Sequence, residues 1–209
     1  QSEIHAALTS SRAFVWLRRK LPPTVAAEVR ALREPGLGFL PEPLRLYPNR
    51  ELAAHVVGFE GVDGGLEGIE RAFDAELAGR PGRALVGRDA LGRDVTTQHV
   101  LQAPAPGHGV MLTLDRTIQY IAEREIDAAY RRTGAKAAMA VVLEPRTGDV
   151  LAIAIRPTFN PNTFLEAPSK DHWRNRAVTD PFEPGSTFKV ILAAAALEEG
   201  VVRPDDRIY

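Results

Sequence analysis

One stretch of the sequence, residues 115–155, constrains the fold more than any other. Asp115 is a good helix N-cap, because its carboxylate can accept from free first-turn amides, and Gly134 is typical of a helix end. Apolar and small side chains recur between them at helical spacing: Ile118, Ile121, Ala122, Ile126, Ala129 and Tyr130. Two apolar, β-prone runs follow, residues 137–144 and 149–155, separated by the letters PRTG. The pattern predicts a helix reaching Arg132, packed on a buried antiparallel hairpin.

The first half of the chain is interrupted by proline and glycine and predicts an irregular module. We expect these elements: a strand at residues 14–17, a helix capped by Thr24 and reaching about Leu32, a strand at 52–59, a helix at 64–77 and two strands around an Asp/Gly turn within 80–95. The Pro/Gly-rich letters APAPGHG then suit an extended connector. The expected fold class is α+β, with a first domain at 1–102, a linker at 103–109 and a second domain at 110–209.

Composition excludes several classes of function. The 209 residues carry a net charge of −1, which predicts no broad surface for nucleic acid, and the absence of cysteine excludes disulfides and thiolate chemistry. The longest apolar run, near residues 190–197, is too short to cross a bilayer. The opening letters QSEIHAAL resemble the interior of an element, so we expect that a preceding segment, and with it an anchor, has been removed.

The histidines and one group of carboxylates are expected to be structural. The histidines are His5, His55, His99, His108 and His172. No ligand spacing such as HxxxH relates them, so neither a metal nor a cofactor is predicted. Asp63, Glu67 and Glu70 are expected on a solvated face or in cap contacts. The letters WRNR at residues 173–176 are expected to pack and to form ion pairs.

The residues that suggest chemistry are Ser186 and Lys189, an SxxK tetrad directly after the letters EPG. Three residues apart on a helix places both side chains on one face, where a lysine amine can approach a serine hydroxyl. A serine needs a neighbouring base, and the apolar Phe188, Val190 and Ile191 could desolvate the amine and favour its neutral form. The tetrad predicts an acyl-transfer site at the start of a buried helix, residues 186–199, ended by Gly200. The alternative is a simple N-cap serine beside a solvated lysine.

The segments around this tetrad resemble the class B penicillin-binding proteins, in particular the septal transpeptidases and their sporulation relatives. The letters RNRAVTDPFEPGSTFKVILAAAALEEG are similar to the active-site segment of that family. In the same order, LYPNRELAAHVVGFEGVDGGLEGIERAFDAELAGRPG resembles the non-catalytic pedestal, and LTLDRTIQYIAEREI with VVLEPRTGDVLAIAIRPTFNPN resembles the entry into the transpeptidase domain. The resemblance implies a partial pedestal module followed by the start of a transpeptidase domain.

The resemblance also implies roles. Ser186 would attack the penultimate D-Ala carbonyl of a peptidoglycan stem peptide, Lys189 would assist proton transfer, and the amide of Ser186 would stabilise the oxyanion. β-Lactam antibiotics would acylate the same serine. The implied partners are a SEDS-type glycosyltransferase and division proteins. The implied location is the bacterial inner membrane, with a single-pass anchor absent from this chain and the catalytic part in the periplasm.

Departures from the family pattern limit these expectations. The family's SxN and KTG motifs do not occur between Lys189 and Tyr209, and the letters RTG at 146–148 precede the tetrad and indicate a turn. We therefore expect the 209-residue chain to be inactive alone. Two other readings stay open: a module that docks division partners, testable with Phe59→Asp, and an elongation or sporulation relative. A β-lactam sensor or β-lactamase with the same tetrad is disfavoured by the long pedestal-like half.

Overall fold

The computed structural model describes residues 2–9, 11, 14–88 and 94–207 and shows an α+β chain. The helices are α1 Ser2–Leu8, α2 Pro23–Ala31, α3 Ala54–Val57, α4 Gly68–Ala72, α5 Asp74–Leu77, α6 Arg116–Thr133, α7 Arg176–Thr179 and α8 Phe188–Glu198. The strands are β1 Phe59–Glu60, β2 Gly65–Glu67, β3 Arg83–Arg88, β4 Asp94–Gln102, β5 Ala138–Leu143 and β6 Val150–Arg156. Short 3₁₀ helices span Pro161–Glu166, Lys170–His172 and Gly185–Thr187. Strands pair in sequence order as three antiparallel hairpins.

The helix and hairpin predicted for residues 115–155 are confirmed. The Asp115 carboxylate accepts from the Ile118 amide at 2.8 Å, and Gly134 ends α6 with a left-handed φ of 63°. Helix α6 is docked on β6 by Gln119, whose side chain donates to the Ile153 carbonyl and accepts from the Ile153 amide, both at 2.8 Å. This one side chain satisfies both backbone groups of Ile153, as a residue of a neighbouring strand would.

The predicted burial of this hairpin holds for β6 and not for β5. Strand β6 buries Ala152, Ala154 and Ile155, whereas no residue of β5 is buried and its alternate side chains are exposed, namely Met139, Val141 and Leu143. A strand of alternating exposure has one face packed and one face open. The letters RTG lie in the connection between the two strands, as expected for a turn.

Two predictions for the first half are wrong: the strand at residues 14–17 and the helix cap at Thr24. Residues 14–17 form no strand, and α2 begins at Pro23 after Pro22, so Thr24 lies inside the helix and makes no cap. Proline pre-sets the backbone for the first helical turn and has no N–H to satisfy, which explains the earlier start. The predicted two-stranded hairpin is present as β3 and β4, while its turn, residues 89–93, lies outside the described residues.

The strand predicted at 52–59 is wrong, and the helix predicted at 64–77 is confirmed only from residue 68 on, as α4 and α5. Close packing at two glycines accompanies both differences. Helix α3 ends at Gly58, where a Cβ would lie 1.8 Å from the carbonyl oxygen of Glu67. A Cβ on Gly65 would lie 2.0 Å from the Glu70 carbonyl oxygen. Backbones therefore approach each other closely on both sides of β2. Only glycine permits this approach, and residues 65–67 form β2 where the sequence pattern predicts the start of a helix.

The chain forms two compact units, residues 1–177 and residues 178–209. The core of the first unit contains Ala54, Phe59 and Phe159, with Tyr47, Phe164, Ala167 and Trp173 packed against it. It therefore draws on residues from both sides of the linker expected at 103–109. Within the described ranges, no helix has both the length and the apolar character needed to span a bilayer.

Candidate active site

Ser186 and Lys189 lie at the beginning of the predicted last helix, in the second unit. Ser186 belongs to the 3₁₀ helix Gly185–Thr187, which continues directly into α8 with Lys189 in its first turn. Gly185 has a left-handed φ of 53°, a backbone conformation that favours glycine immediately before the serine. The Thr187 hydroxyl and amide both donate to the Pro184 carbonyl and fix this opening turn. The first amides of a helix lack intrahelical acceptors, and they are available there to an anion.

The expected contact between the two side chains is not formed in this chain. No hydrogen bond joins the Ser186 hydroxyl to the Lys189 amine within the part of the chain that the structure describes, and both residues are exposed. Phe188, Val190 and Ile191 are 53%, 74% and 61% exposed, so they do not desolvate the amine. The expectation of a buried helix is therefore wrong for these 209 residues.

The composition of α8 is typical of a buried helix, although α8 is exposed here. Its sequence FKVILAAAALE carries apolar residues on every side, and none of them is buried. A helix of this kind is normally enclosed by other elements on all sides. In the described residues of the second unit, 178–207, only turns, a 3₁₀ helix and the end of α7 accompany it, which is too little chain to enclose it.

The segment between β6 and α7, residues 157–175, is held in the first unit by residues 47–59. Asn162 pairs with both backbone groups of Tyr47, accepting from its amide and donating to its carbonyl at 2.9 Å each. The His55 Nε2 is 2.9 Å from the His172 carbonyl oxygen. The structural role expected for histidines is thus confirmed for His55, which is 5% exposed. Burial lowers the pKa of His55 to about 4.

Residues 173–176, with the sequence WRNR, pack and form ion pairs as expected. The Trp173 ring packs on Phe164, and its Nε1 donates to the Phe164 carbonyl at 3.1 Å. Arg174 and Arg176 both approach Asp171, with N–O distances of 3.4 Å and 3.9 Å. These contacts hold the chain up to the end of the first unit.

A buried polar network on α6 was missed by the sequence analysis. Glu123, 8% exposed, accepts at 2.7 Å from the Ala53 amide and from Gln119. Arg156 lies 3.6 Å from Glu123 and donates to Asp127 at 2.8 Å, which lowers the pKa of the Asp127 carboxyl. The i,i+4 spacing of polar residues 119, 123 and 127 was the available signal. Their partners lie too far along the sequence to be inferred from it.

The three carboxylates of residues 63–70 do not converge on one point. Asp63 pairs with Arg19 and Glu70 with Arg45, each at 2.7 Å. Glu70 is only 6% exposed, so the expectation of a solvated face is wrong for it, and its burial is compensated by the arginine. Among the residues with described positions, no three His, Asp or Glu side chains are grouped as a metal site requires.

Comparison with known families identifies the class of protein. The model of the penicillin-binding protein dimerisation domain matches residues 2–112, and that of the penicillin binding protein transpeptidase domain matches residues 138–209. The chain belongs to the penicillin-binding proteins. The resemblance to class B members, and the α+β fold with a pedestal followed by part of a transpeptidase domain, are thereby confirmed.

Particular relatives narrow the comparison. The chain is 39% identical to peptidoglycan D,D-transpeptidase FtsI of Escherichia coli over 91% of this chain and 32% of that protein. It is 40% identical to the probable peptidoglycan D,D-transpeptidase PenA of Neisseria gonorrhoeae over 94% of this chain and 34% of that one. A solved structure of penicillin binding protein 3 from Mycobacterium tuberculosis, complexed with ampicillin, matches at 37% identity and a TM-score of 0.63, covering 79% of this chain and 33% of that one. The chain thus spans about a third of the length of the curated relatives it matches.

Proposed function

We propose that the whole protein is a serine-type peptidoglycan D,D-transpeptidase with Ser186 as its nucleophile. The observation that carries the proposal is the SxxK tetrad at the opening of a helix, within residues matched to a transpeptidase domain. Relatives named D,D-transpeptidases support the same reaction. The M. tuberculosis complex with ampicillin supports β-lactams as ligands.

The proposed reaction has two acyl transfers. The Ser186 oxygen attacks the carbonyl of the penultimate D-Ala, an ester forms, the peptide bond to the last D-Ala breaks, and the serine proton passes to the departing amine. An amine of a second stem peptide then attacks the ester, a new peptide bond forms, and the serine regains a proton. Lys189 relays the proton in both steps, which requires its neutral form. We infer that chain beyond these 209 residues covers α8 and excludes water from the amine.

The test is acylation of the full-length protein by a fluorescent penicillin. Wild type is expected to label, Ser186→Ala to lose labelling, and Ser11→Ala, a change at an exposed serine, to label like wild type. The 209-residue chain alone is expected not to turn over substrate, since its sequence has no SxN or KTG motif after the tetrad. Labelling of Ser186→Ala at the wild-type rate would refute the assignment.

We further propose that the whole protein acts in cell division, anchored in the inner membrane with its catalytic part in the periplasm. In this proposal, residues 1–102 dock a SEDS-type glycosyltransferase and division proteins. The supporting observation is exposed apolar surface in the dimerisation-type part, where Phe14, Leu40 and Leu46 are 62%, 64% and 70% exposed. Leu46 also lines an open cleft of about 430 Å³ with Leu44, Leu52 and Pro161.

The docking proposal is tested with Leu46→Asp in the full-length protein. A charge on this surface is expected to reduce co-purification with the glycosyltransferase while penicillin labelling persists. Leu165→Asp is the matched control, since Leu165 is 79% exposed and lies outside residues 1–102. Phe59→Asp is unsuitable, because Phe59 is fully buried and a charge there would unfold the core. Unchanged co-purification of Leu46→Asp contradicts docking through this cleft.

A further inference from the structure

The strands of the β3–β4 hairpin pair only with each other among the residues that the structure describes. Leu85 of β3 is 59% exposed, and Val100 and Leu101 of β4 are 65% and 64% exposed. Apolar side chains of both strands therefore face solvent. A two-stranded hairpin is at best marginally stable alone in water, and it normally gains stability from a third strand or from another element packed on it.

The base of this hairpin is well anchored in the first unit. Arg80 and Ala105 exchange two backbone hydrogen bonds, at 2.9 and 3.0 Å. Beside them, a Cβ on Gly107 would lie 1.9 Å from the Leu77 carbonyl oxygen, so the returning chain packs directly on the end of α5. Beyond this base, each strand has one neighbour within the described ranges. Its other edge therefore carries backbone groups that a further strand can bind.

The two edges of the hairpin differ in charge. Strand β3 has the sequence RALVGR and carries an arginine at each end, Arg83 and Arg88. Strand β4 has the sequence DVTTQHVLQ, in which Asp94 at the start is the one Asp, Glu, Lys or Arg. Charged side chains on an edge strand hinder pairing with another chain, and β-branched residues such as the valines and threonines of β4 favour it. The edge of β4 is therefore the one that suits a further strand.

A second copy of this chain is the occupant that the charge pattern favours. Two β4 strands related by a two-fold axis at Gln98 run antiparallel and place Asp94 opposite the partner's Gln102, so no like charges meet. The same operation on β3 places Arg83 opposite the partner's Arg88, and like charges directly opposed are destabilising. We propose that two copies of the protein associate through their β4 edges and form a four-stranded antiparallel sheet, ordered β3-β4-β4-β3. This inference does not depend on the proposed acyl transfer.

The experiment is disulfide cross-linking of the full-length protein in detergent, with Gln98→Cys as the test variant. Residues directly opposite each other in antiparallel strands have Cα atoms about 4.5–5.5 Å apart, which is within disulfide reach. Leu85→Cys is the matched control on the other strand, because the two copies of Leu85 would lie at least about 14 Å apart across the proposed sheet. Gln98→Cys is expected to form linked dimer about tenfold faster than Leu85→Cys. The 209 residues contain no cysteine, and wild type taken through the same oxidation is the blank.

A charge exchange at the two-fold axis tests the same pairing without a covalent bond. The dissociation constant of the dimer is measured by energy transfer between two pools of full-length protein that carry different fluorophores on an added tag. Gln98→Asp and Gln98→Lys are each expected to pair with themselves about threefold more weakly than wild type, because like charges are then opposed. A mixture of the two variants is expected to pair at least as tightly as wild type.

Three results would overturn the proposal. The first is wild-type protein that stays a single copy at every concentration tested, which leaves the β4 edge to a strand of a different protein. The second is Leu85→Cys that links as fast as Gln98→Cys, since β3 or random collision then brings the copies together. The third is a mixture of Gln98→Asp and Gln98→Lys that pairs no better than either variant alone. Penicillin labelling of all variants checks that they fold.

Discussion

Single polar side chains perform structural tasks in this chain that apolar residues more often perform. Gln119, 1% exposed, satisfies both backbone groups of Ile153 and also donates to Glu123, which in turn accepts from Ala53. Each member of this network leaves a buried partner unsatisfied if it is removed, at a cost of about 1–3 kcal/mol. The sequence shows these residues at helical spacing. It does not show their partners, since Ala53 and Ile153 meet them only in the fold.

His55 gives the folded chain a specific pH dependence. Its folded pKa of about 4 lies below the ordinary value of 6.5, so the unfolded chain binds a proton first as the pH falls. This contribution to the free energy of unfolding is complete above pH 6.5 and is lost between about pH 6.5 and 4, by roughly 3 kcal/mol. Urea unfolding at pH 7 and pH 4.5 measures it. Between pH 7 and pH 4.5, His55→Gln is expected to lose less free energy of unfolding than wild type. An equal loss in both proteins would contradict the assignment.

Among the elements, α6 and the β5–β6 hairpin were predictable because their signals are local. A cap, a stop and a period of apolar residues lie within 115–155 and need no knowledge of the rest of the chain. Helix α3 and strand β2 were each predicted as the other kind of element, since apolar runs alone do not separate a strand from a short buried helix. The deciding contacts, such as Gly58 against Glu67, join residues that the pattern treats as separate elements.

The cap of α6 can be tested directly. Asp115→Ala removes the acceptor of the Ile118 amide and is expected to lower the free energy of unfolding by about 1 kcal/mol. Asp115→Ser, which retains a capping oxygen, is expected to recover most of the loss. Urea unfolding of the 209-residue chain provides the measurement, with Asp205→Ala as the matched change at an exposed aspartate. An equal effect of the two alanine variants would show that the cap contributes nothing.

For the whole molecule, the family and the fold class predicted from the sequence are confirmed, while the predicted domains at 1–102 and 110–209 stay predictions. The match to the dimerisation domain ends at residue 112, and the match to the transpeptidase domain begins at residue 138. The linker at 103–109 also stays a prediction. Residues of that stretch are hydrogen-bonded, since Ala105 exchanges two backbone bonds with Arg80 and His108 donates to Glu76. The positions of Ser186 and Lys189 at a helix start were readable from the tetrad. Their exposure was not, because the cover of a helix depends on residues outside its own sequence.

The pairing of Tyr47 with Asn162 also bears on how this polypeptide folds during translation. The two residues are 115 positions apart, so the aromatic core cannot close until the later one has left the ribosome. At about 5–20 residues per second, the earlier segment waits on the order of ten seconds with Phe59 unprotected. The aromatic core is therefore among the last parts of the first unit that a growing chain can complete.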